Sequence, residues 1–198
     1  MTVSCGKGDE VTSIATSTNC SSNYCIIFVS STGTSGDIDG AGDDDGSNGI
    51  EEADALCNAD SSKPNSSTYK ALIVDGVNRV ACTTPACSGG TGEHIDWVLQ
   101  PSTEYRRVDE STAIGTTSTE GIFTFPLDNV IDLPLTINSI WTGLDDATWT
   151  THSDLCLNWT DGTAASNGRR LSSTLDSTMG NASERCDQTD FRLYCVEQ

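Results

Sequence analysis

Apolar residues occur along this chain in short runs separated by long polar stretches, a pattern that predicts short strands joined by long loops. The first run, Cys25–Val29, is rich in β-branched and aromatic residues and predicts a buried strand. The other predicted strands are Tyr69–Val74, Asn78–Cys82, Ile95–Leu99, Gly121–Phe125, Ser139–Leu144 and Phe191–Val196. The dipeptide Asp75-Gly76 is typical of a tight turn, so we expect the strands on either side of it to form a hairpin.

One segment has the periodicity of a helix. Within Ile50–Ala59, apolar residues recur at helical spacing and predict a short amphipathic helix. These positions are Ile50, Ala53, Leu56 and Cys57. Strands, one or two helices and long loops together predict the α+β class, built mainly from short antiparallel strands.

The same pattern predicts how the chain is divided. We expect residues 1–24 to form a polar tail rich in Ser and Thr, and residues 25–198 to form one disulfide-stapled domain. A chain of 198 residues is long enough for one core, but only 35% of them are hydrophobic. This composition favours a modest core that carries many loops.

The chain contains nine cysteines, and none of them forms the close Cys-x-x-Cys pair of a zinc site. We therefore expect disulfides and an oxidising compartment. Two pairs lie five residues apart and can close local loops, namely Cys20 with Cys25 and Cys82 with Cys87. The others are Cys5, which stands alone, and Cys57, Cys156, Cys186 and Cys195. The last four allow three connectivities, and spacing does not choose among them.

Disulfides imply export, yet the four residues before Cys5 leave no room for the hydrophobic region of a signal peptide. We therefore expect that a leader has been removed and that the domain is extracellular or on the outer cell surface. Cys5 has two interpretations, an acylated lipoprotein cysteine or an ordinary thiol in the tail. Contact with a membrane is expected only through such a lipid anchor.

Net charge excludes several classes of partner. Ten basic residues against 29 acidic ones give a formal charge of −19. Such a surface repels nucleic acid and anionic membranes, so we expect no binding to either. No stretch of the sequence is long and apolar enough to span a bilayer.

The acidic segment Asp43–Asp54 fits the pattern of a twelve-residue calcium loop that leads into the predicted helix. The predicted ligands are side-chain oxygens and one backbone carbonyl, from Asp43, Asp45, Ser47, Gly49 (the carbonyl), Glu51 and Asp54. Calcium prefers six to eight hard oxygen ligands from a flexible loop. The alternative interpretation is a solvated acidic loop that holds no ion.

Catalytic and sugar-binding signals are weak. His94 lies beside Glu93 and Asp96, but no nucleophile or second histidine stands in a matching frame, so we expect a surface histidine and no enzymatic activity. Large aromatic residues dominate small cores, so we expect three tryptophans to be core residues and not a platform for sugars. These are Trp141, Trp149 and Trp159.

Several segments carry a family resemblance. The segments IWTGL, CLNWTDG and LYCVEQ are similar to the C-type-lectin-like and endostatin-like superfamily. More closely, residues 26–198 resemble a domain of unknown function that is common in leptospiral surface proteins, a group that includes the leptospiral endostatin-like adhesins. The further matching segments are IIFVSST, GIEEADALCNAD, YKALIVDGVNRVACTT, HIDWVLQP, GIFTFPL and WTGLDD.

This resemblance implies a C-type-lectin-like or endostatin-like fold with nested bridges, Cys57–Cys195 outside and Cys156–Cys186 inside. It also implies surface lipoproteins that bind host matrix proteins, plasminogen or complement factor H. The expected function is therefore an exported binding module, an adhesin for host matrix or plasma proteins. The alternative is a calcium-dependent structural or glycan-binding module of an outer-surface assembly. Mammalian endostatin binds heparin through exposed arginines, and a charge of −19 gives no reason to expect heparin binding here.

Overall fold

Short strands arranged around one long helix make up the protein in a computed structural model, which describes residues 20, 23–41, 48–131, 139–172 and 176–198. The strands are β1 (Cys25–Val29), β2 (Tyr69–Ala71), β3 (Glu104–Arg106), β4 (Ala113–Thr116), β5 (Ile140–Trp141), β6 (Leu144–Asp145), β7 (Thr150–Thr151), β8 (Asn167–Leu171), β9 (Ala182–Arg185) and β10 (Tyr194–Glu197). The helices are α1 (Gly49–Ala59) and α2 (Cys156–Trp159). The α+β class predicted from the sequence is confirmed.

The central sheet has five strands in the order β2-β10-β1-β3-β4. β1 runs parallel to β3, and the other neighbours in this sheet are antiparallel. A second sheet has the order β5-β8-β9, and β6 pairs with β7. Because β10 lies between β1 and β2, the last strand of the chain is an inner strand of the sheet, with Cys195 opposite Phe28.

Alternate residues of the central sheet face two separate parts of the core. On β1, Ile27 packs into one cluster of buried side chains and Phe28 packs into the other. The cluster around Phe28 includes α1, Trp141 and Trp159, while the cluster around Ile27 includes the loops that carry Trp149. The sheet is therefore covered by a helix on one face and by loops on the other.

Helix α1 forms because its first turn is capped and one of its faces is apolar. The Asn48 carboxamide oxygen accepts hydrogen bonds from the amides of Ile50 at 3.1 Å and Glu51 at 3.2 Å, and the Glu51 carboxylate accepts from the Asn48 amide at 3.3 Å. This reciprocal capping box satisfies amides that have no partner within the helix. Ile50, Ala53 and Cys57 form its buried face. The helix prediction is confirmed, with a start one residue earlier than expected.

Three predicted strands are loops in the structure, and their prediction is wrong. These are Asn78–Cys82, Ile95–Leu99 and Gly121–Phe125, where only isolated bridges occur, such as the one between Val80 and Ile95. The expected hairpin around Asp75-Gly76 is absent as well. The Asp75 carboxylate accepts from the amides of Val77, Asn78 and Arg79, which folds this segment into a side-chain-capped loop.

Other strands differ from the prediction in extent or were not predicted. The segment Ser139–Leu144 is divided into β5 and β6 because Gly143 has a φ of 69°, which turns the chain between them. The polar strands β3, β4, β8 and β9 carry no apolar run that would reveal them in the sequence. Their backbone hydrogen bonds are supplied by neighbouring strands.

Helix α2 is a single left-handed turn. The φ angles of its four residues lie between 49° and 66°. A left-handed turn costs about 1–2 kcal/mol per residue, so tertiary contacts must hold it. Two such contacts are the bridge from Cys156 to Cys186 and the buried Trp159, whose indole nitrogen donates to the Val74 carbonyl at 2.9 Å. Leu157 stays exposed at the tip of the turn.

Candidate binding site

The predicted calcium ligands divide between described and undescribed residues. Asp43, Asp45 and Ser47 lie outside the described residues. Gly49 is the first residue of α1, and the Glu51 carboxylate accepts from the amide that precedes the helix. Calcium binding stays a prediction, and it requires a melting midpoint that is higher in millimolar calcium than in chelator.

Asp54, the last predicted calcium ligand, binds a buried arginine. The guanidinium of Arg79, whose side chain is 0% exposed, donates to the two carboxylate oxygens of Asp54 at 2.9 and 2.7 Å. It also donates to the Ala71 carbonyl at 2.8 Å and to the Asp96 carbonyl at 2.9 Å. Lys70 forms a second ion pair with the Asp96 carboxylate. Asp54 thus faces a positive charge, which lowers its attraction for a cation.

The charges of this cluster stabilise one another. Desolvation opposes the charged form of Arg79, but hydrogen bonds and attraction from Asp54 and Asp96 outweigh it and raise the pKa of the guanidinium. Desolvation likewise opposes the charged form of Asp96, and hydrogen bonds from Lys70 and Arg79 outweigh it and lower the pKa of that carboxyl. The cluster connects α1, β2 and the loop around Asp96.

Glu93, His94 and Asp96, which are near neighbours in sequence, point to different partners. Asp96 belongs to the arginine cluster, whereas the two ring nitrogens of His94 face the carbonyl oxygens of Ala81 and Glu120. Among the described residues, no three or more His, Cys, Asp or Glu side chains are grouped to hold a metal ion. Glu93, His94 and Asp96 each make structural contacts in this part of the chain.

Glu93 organises the loop that is closed by the Cys82–Cys87 bridge. Its carboxylate accepts hydrogen bonds from the amides of Thr83 and Thr84, each at 2.7 Å, and from the amide of Gly89. The Thr84 hydroxyl donates to it as well, at 2.6 Å. These hydrogen bonds stabilise the ionised carboxylate and lower the pKa of Glu93 from its ordinary value of 4.5 to about 2. The Thr84 hydroxyl makes the largest contribution, and the backbone amides lower the pKa further.

The predicted core tryptophans are confirmed. Trp141, Trp149 and Trp159 are at most 1% exposed. Each indole nitrogen donates to a backbone carbonyl, as Trp149 does to Phe123 at 3.2 Å. A ring that is buried on both faces offers no platform on which a sugar could stack.

Two adjoining clefts lie where β1 ends. The first has a volume of about 570 Å³ and lies between the end of β1 and the turn that follows β3. The second has a volume of about 400 Å³ and lies between the same segment and the end of α1. Both include Ser30 and Ser31. Both are lined mainly by hydroxyl-bearing and apolar residues, a combination that occurs in binding sites.

The disulfides hold the chain that forms these clefts. The structure contains the four expected bridges, Cys20–Cys25, Cys57–Cys195, Cys82–Cys87 and Cys156–Cys186. They indicate an extracellular or otherwise oxidising environment. In the described part of the chain, no helix has the length and apolarity that crossing a bilayer requires. Cys5, the candidate lipidation site, lies outside the described residues.

Comparison with known families gives one match. Residues 41–176 match the model of a protein family of unknown function, DUF1554. The chain belongs to this family. No curated protein matches the chain.

The DUF1554 match contains α1, the Arg79 cluster and α2, whereas β1 and β10 lie outside it. Those two strands are nevertheless part of the same sheet, since β10 pairs with both β1 and β2. The first cleft is therefore formed by the matched segment from Arg107 to Ile131 on one wall and by β1 on the other. The sequence does not reveal this cleft, because its two walls are 76 or more residues apart along the chain. They become neighbours only through the pairing of β1 with β3.

Proposed function

We propose that this DUF1554 protein is an exported module that binds other proteins at an outer cell surface, as an adhesin for host matrix or plasma proteins. The observation that carries the proposal is the pair of adjoining clefts at Ser30 and Ser31. They lie at the rim of a sheet whose inner strand β10 is joined to the covering helix α1 by the Cys57–Cys195 bridge. A rigid rim loses little conformational entropy when a partner binds.

The use of the ionisable side chains also favours binding over catalysis. Arg79, Glu93 and His94 each contact groups of the scaffold. A general acid or base must instead be able to reach a reacting group, directly or through one water molecule. In the described residues these side chains serve the scaffold, and the clefts are lined mainly by hydroxyl and apolar groups.

Charge selects the class of partner. At −19, the protein attracts partners with basic surfaces and accelerates their encounter at low salt. Heparin and nucleic acid are polyanions and do not fit this surface. Attachment to the cell surface would come from acylation of Cys5, which places the clefts outside the cell.

The test is equilibrium binding of the purified, oxidised domain to immobilised matrix proteins, plasminogen and complement factor H. We expect saturable binding to at least one of them, weaker at higher salt because the partners have opposite charge. A reduced and alkylated sample is the control and should not bind. A folded, oxidised domain that binds none of these proteins would show the proposed function to be wrong.

A further inference from the structure

The two edges of β1 are paired over different lengths. On one edge, β10 pairs with residues 27–29, and the amide of Ser30 still donates to the carbonyl of Leu193 at 2.9 Å. On the other edge, β3 pairs only with residues 25–26. Among the described strands, no further strand borders β1 on that side. Residues 27–29 of β1 therefore pair with a described strand on one edge only, and their other edge is open.

Backbone groups of β1 point into this open side. In an antiparallel pair, successive residues direct their amide and carbonyl groups to opposite edges of the strand. Because Ser30 donates toward β10, the amide and carbonyl of Val29 point away from β10. β3 leaves this edge because the Arg107 amide donates to the Thr112 carbonyl at 3.0 Å, which turns the chain back toward β4. The first cleft, of about 570 Å³, occupies the space where β3 would have continued.

The walls of the cleft suit an extended chain. Val108 is 53% exposed at the lip, and the buried Ile131 lines the cleft as well. An added strand would pair with Val29 through its main chain and place alternate side chains on these apolar walls. Its remaining side chains would face solvent.

Charge decides which occupant this edge favours. Two copies of the chain, each at −19, repel one another, so pairing between copies is disfavoured. At the rim, the Asp109 carboxylate is ionised above acidic pH, because hydrogen bonds from the Thr112 hydroxyl and amide and from the Ser111 amide lower its pKa to about 2. The Arg107 guanidinium donates to the Val130 carbonyl at 2.8 Å. Asp109 and Arg107 carry opposite charges, so it is the net charge of the molecule as a whole that attracts a cationic partner.

We infer that the cleft beside β1 binds an extended, basic segment of a partner protein, which adds a strand to the open edge at Val29. This inference rests on the proposed function and names the site and the chemistry of its partner. The main chain of the segment supplies the hydrogen bonds, alternate apolar side chains contact Val108 and Ile131, and its basic side chains face the acidic surface.

The probe for this inference is an acetylated and amidated octapeptide of alternating Val and Lys. We expect it to bind the oxidised domain and to slow hydrogen exchange of the Val29 amide, measured by NMR. Val108→Arg should weaken binding about fivefold or more, because it adds a like charge and removes an apolar contact. Val77→Arg is the matched control, since Val77 is 63% exposed and lies outside both clefts. Its affinity should stay within about twofold of the wild type.

Several results would overturn the inference. A Val29 amide that exchanges slowly in the free domain would mean that another part of the chain already pairs with this edge. Equal binding by the fully N-methylated peptide would exclude main-chain pairing, and equal loss in the Val108 and Val77 variants would leave only general charge attraction. The proposed function is tested with intact matrix and plasma proteins, so its failure is distinguishable from failure of the peptide to bind.

Discussion

Arg79 shows how a single buried charge can hold separate elements together. Its guanidinium reaches Asp54 on α1, the carbonyl of Ala71 on β2, and Asp96. A buried arginine is tolerated only when all its donors have acceptors, and these partners provide them. The acidic residue that ends the predicted calcium loop thus has a structural role in the fold.

Removal of this arginine should lower the free energy of unfolding far more than removal of an exposed arginine. Arg79→Leu leaves Asp54 and the Ala71 carbonyl without their partner, so the free energy of unfolding should fall by roughly 3–5 kcal/mol. The matched control is Arg185→Leu, since Arg185 is 58% exposed and pairs with Asp187 at 3.3 Å. It should cost about 1 kcal/mol or less. Denaturant unfolding measures both, and an equal loss would contradict a structural role for the cluster.

The sequence shows Arg79 only as an isolated cation in the mostly apolar stretch from Ala71 to Cys82. Its carboxylate partners lie 25 and 17 residues away, on elements whose relative position no local pattern specifies. An arginine in such a stretch indicates a buried ion pair in general terms. The identity of the partner depends on the packing of α1 against β2.

At the level of elements, the loop between Cys82 and Glu93 connects two segments that the sequence predicts as strands, Asn78–Cys82 and Ile95–Leu99. The Glu93 carboxylate accepts hydrogen bonds from several backbone amides of this loop. In a sheet, the carbonyl groups of a neighbouring strand would accept these hydrogen bonds. Both oxygens of the carboxyl group can accept this many hydrogen bonds only while the group is ionised. The stability of the loop therefore depends on pH.

Glu93 should make the domain less stable in acid. Its folded pKa of about 2 lies below its ordinary value of 4.5, so its contribution is present above pH 4.5 and is lost as the pH falls toward 2. Glu93→Gln should lower the melting temperature near neutral pH, and the difference from the wild type should shrink as the pH falls through this range. A difference that stays constant with pH would contradict this role.

The elements that the sequence predicts well are those defined by apolar patterns. β1 has the predicted bounds because five consecutive residues favour a buried strand, and α1 follows from its spacing and cap. The strands β3 and β8 are EYR and NGRRL, whose polar residues carry no such pattern. Their formation depends on neighbours that are distant in sequence, and the open edge of β1 follows from the same long-range pairing.

For the molecule as a whole, the outer disulfide joins α1 to β10, an inner strand of the sheet. It links residues 138 apart, whereas Cys82–Cys87 links residues 5 apart. Closing a longer loop removes more entropy from the unfolded chain, although strain and residual structure alter the measured value. With a small core, this protein depends on that long closure.

Removal of the outer bridge should therefore lower the free energy of unfolding more than removal of the local Cys82–Cys87 bridge. The outer bridge closes a loop with a sequence separation of 138, and the local bridge closes one with a separation of 5. From this difference in loop entropy, we expect the double variant Cys57→Ala/Cys195→Ala to lose roughly 3 kcal/mol more free energy of unfolding than the double variant Cys82→Ala/Cys87→Ala. Calorimetry or denaturant unfolding of the two double variants measures this difference. Equal losses would mean that local strain and packing, and not loop closure, decide what each bridge contributes.

We propose that this protein binds a partner protein through the cleft at the end of β1. The most direct measurement is the equilibrium affinity of the intact domain for the matrix or plasma protein that it binds most tightly, in the wild type, Val108→Arg and Val77→Arg. We expect Val108→Arg to weaken binding by about fivefold or more and Val77→Arg to stay within about twofold of the wild type. Equal affinity in all three, or no binding by any of them, would contradict it.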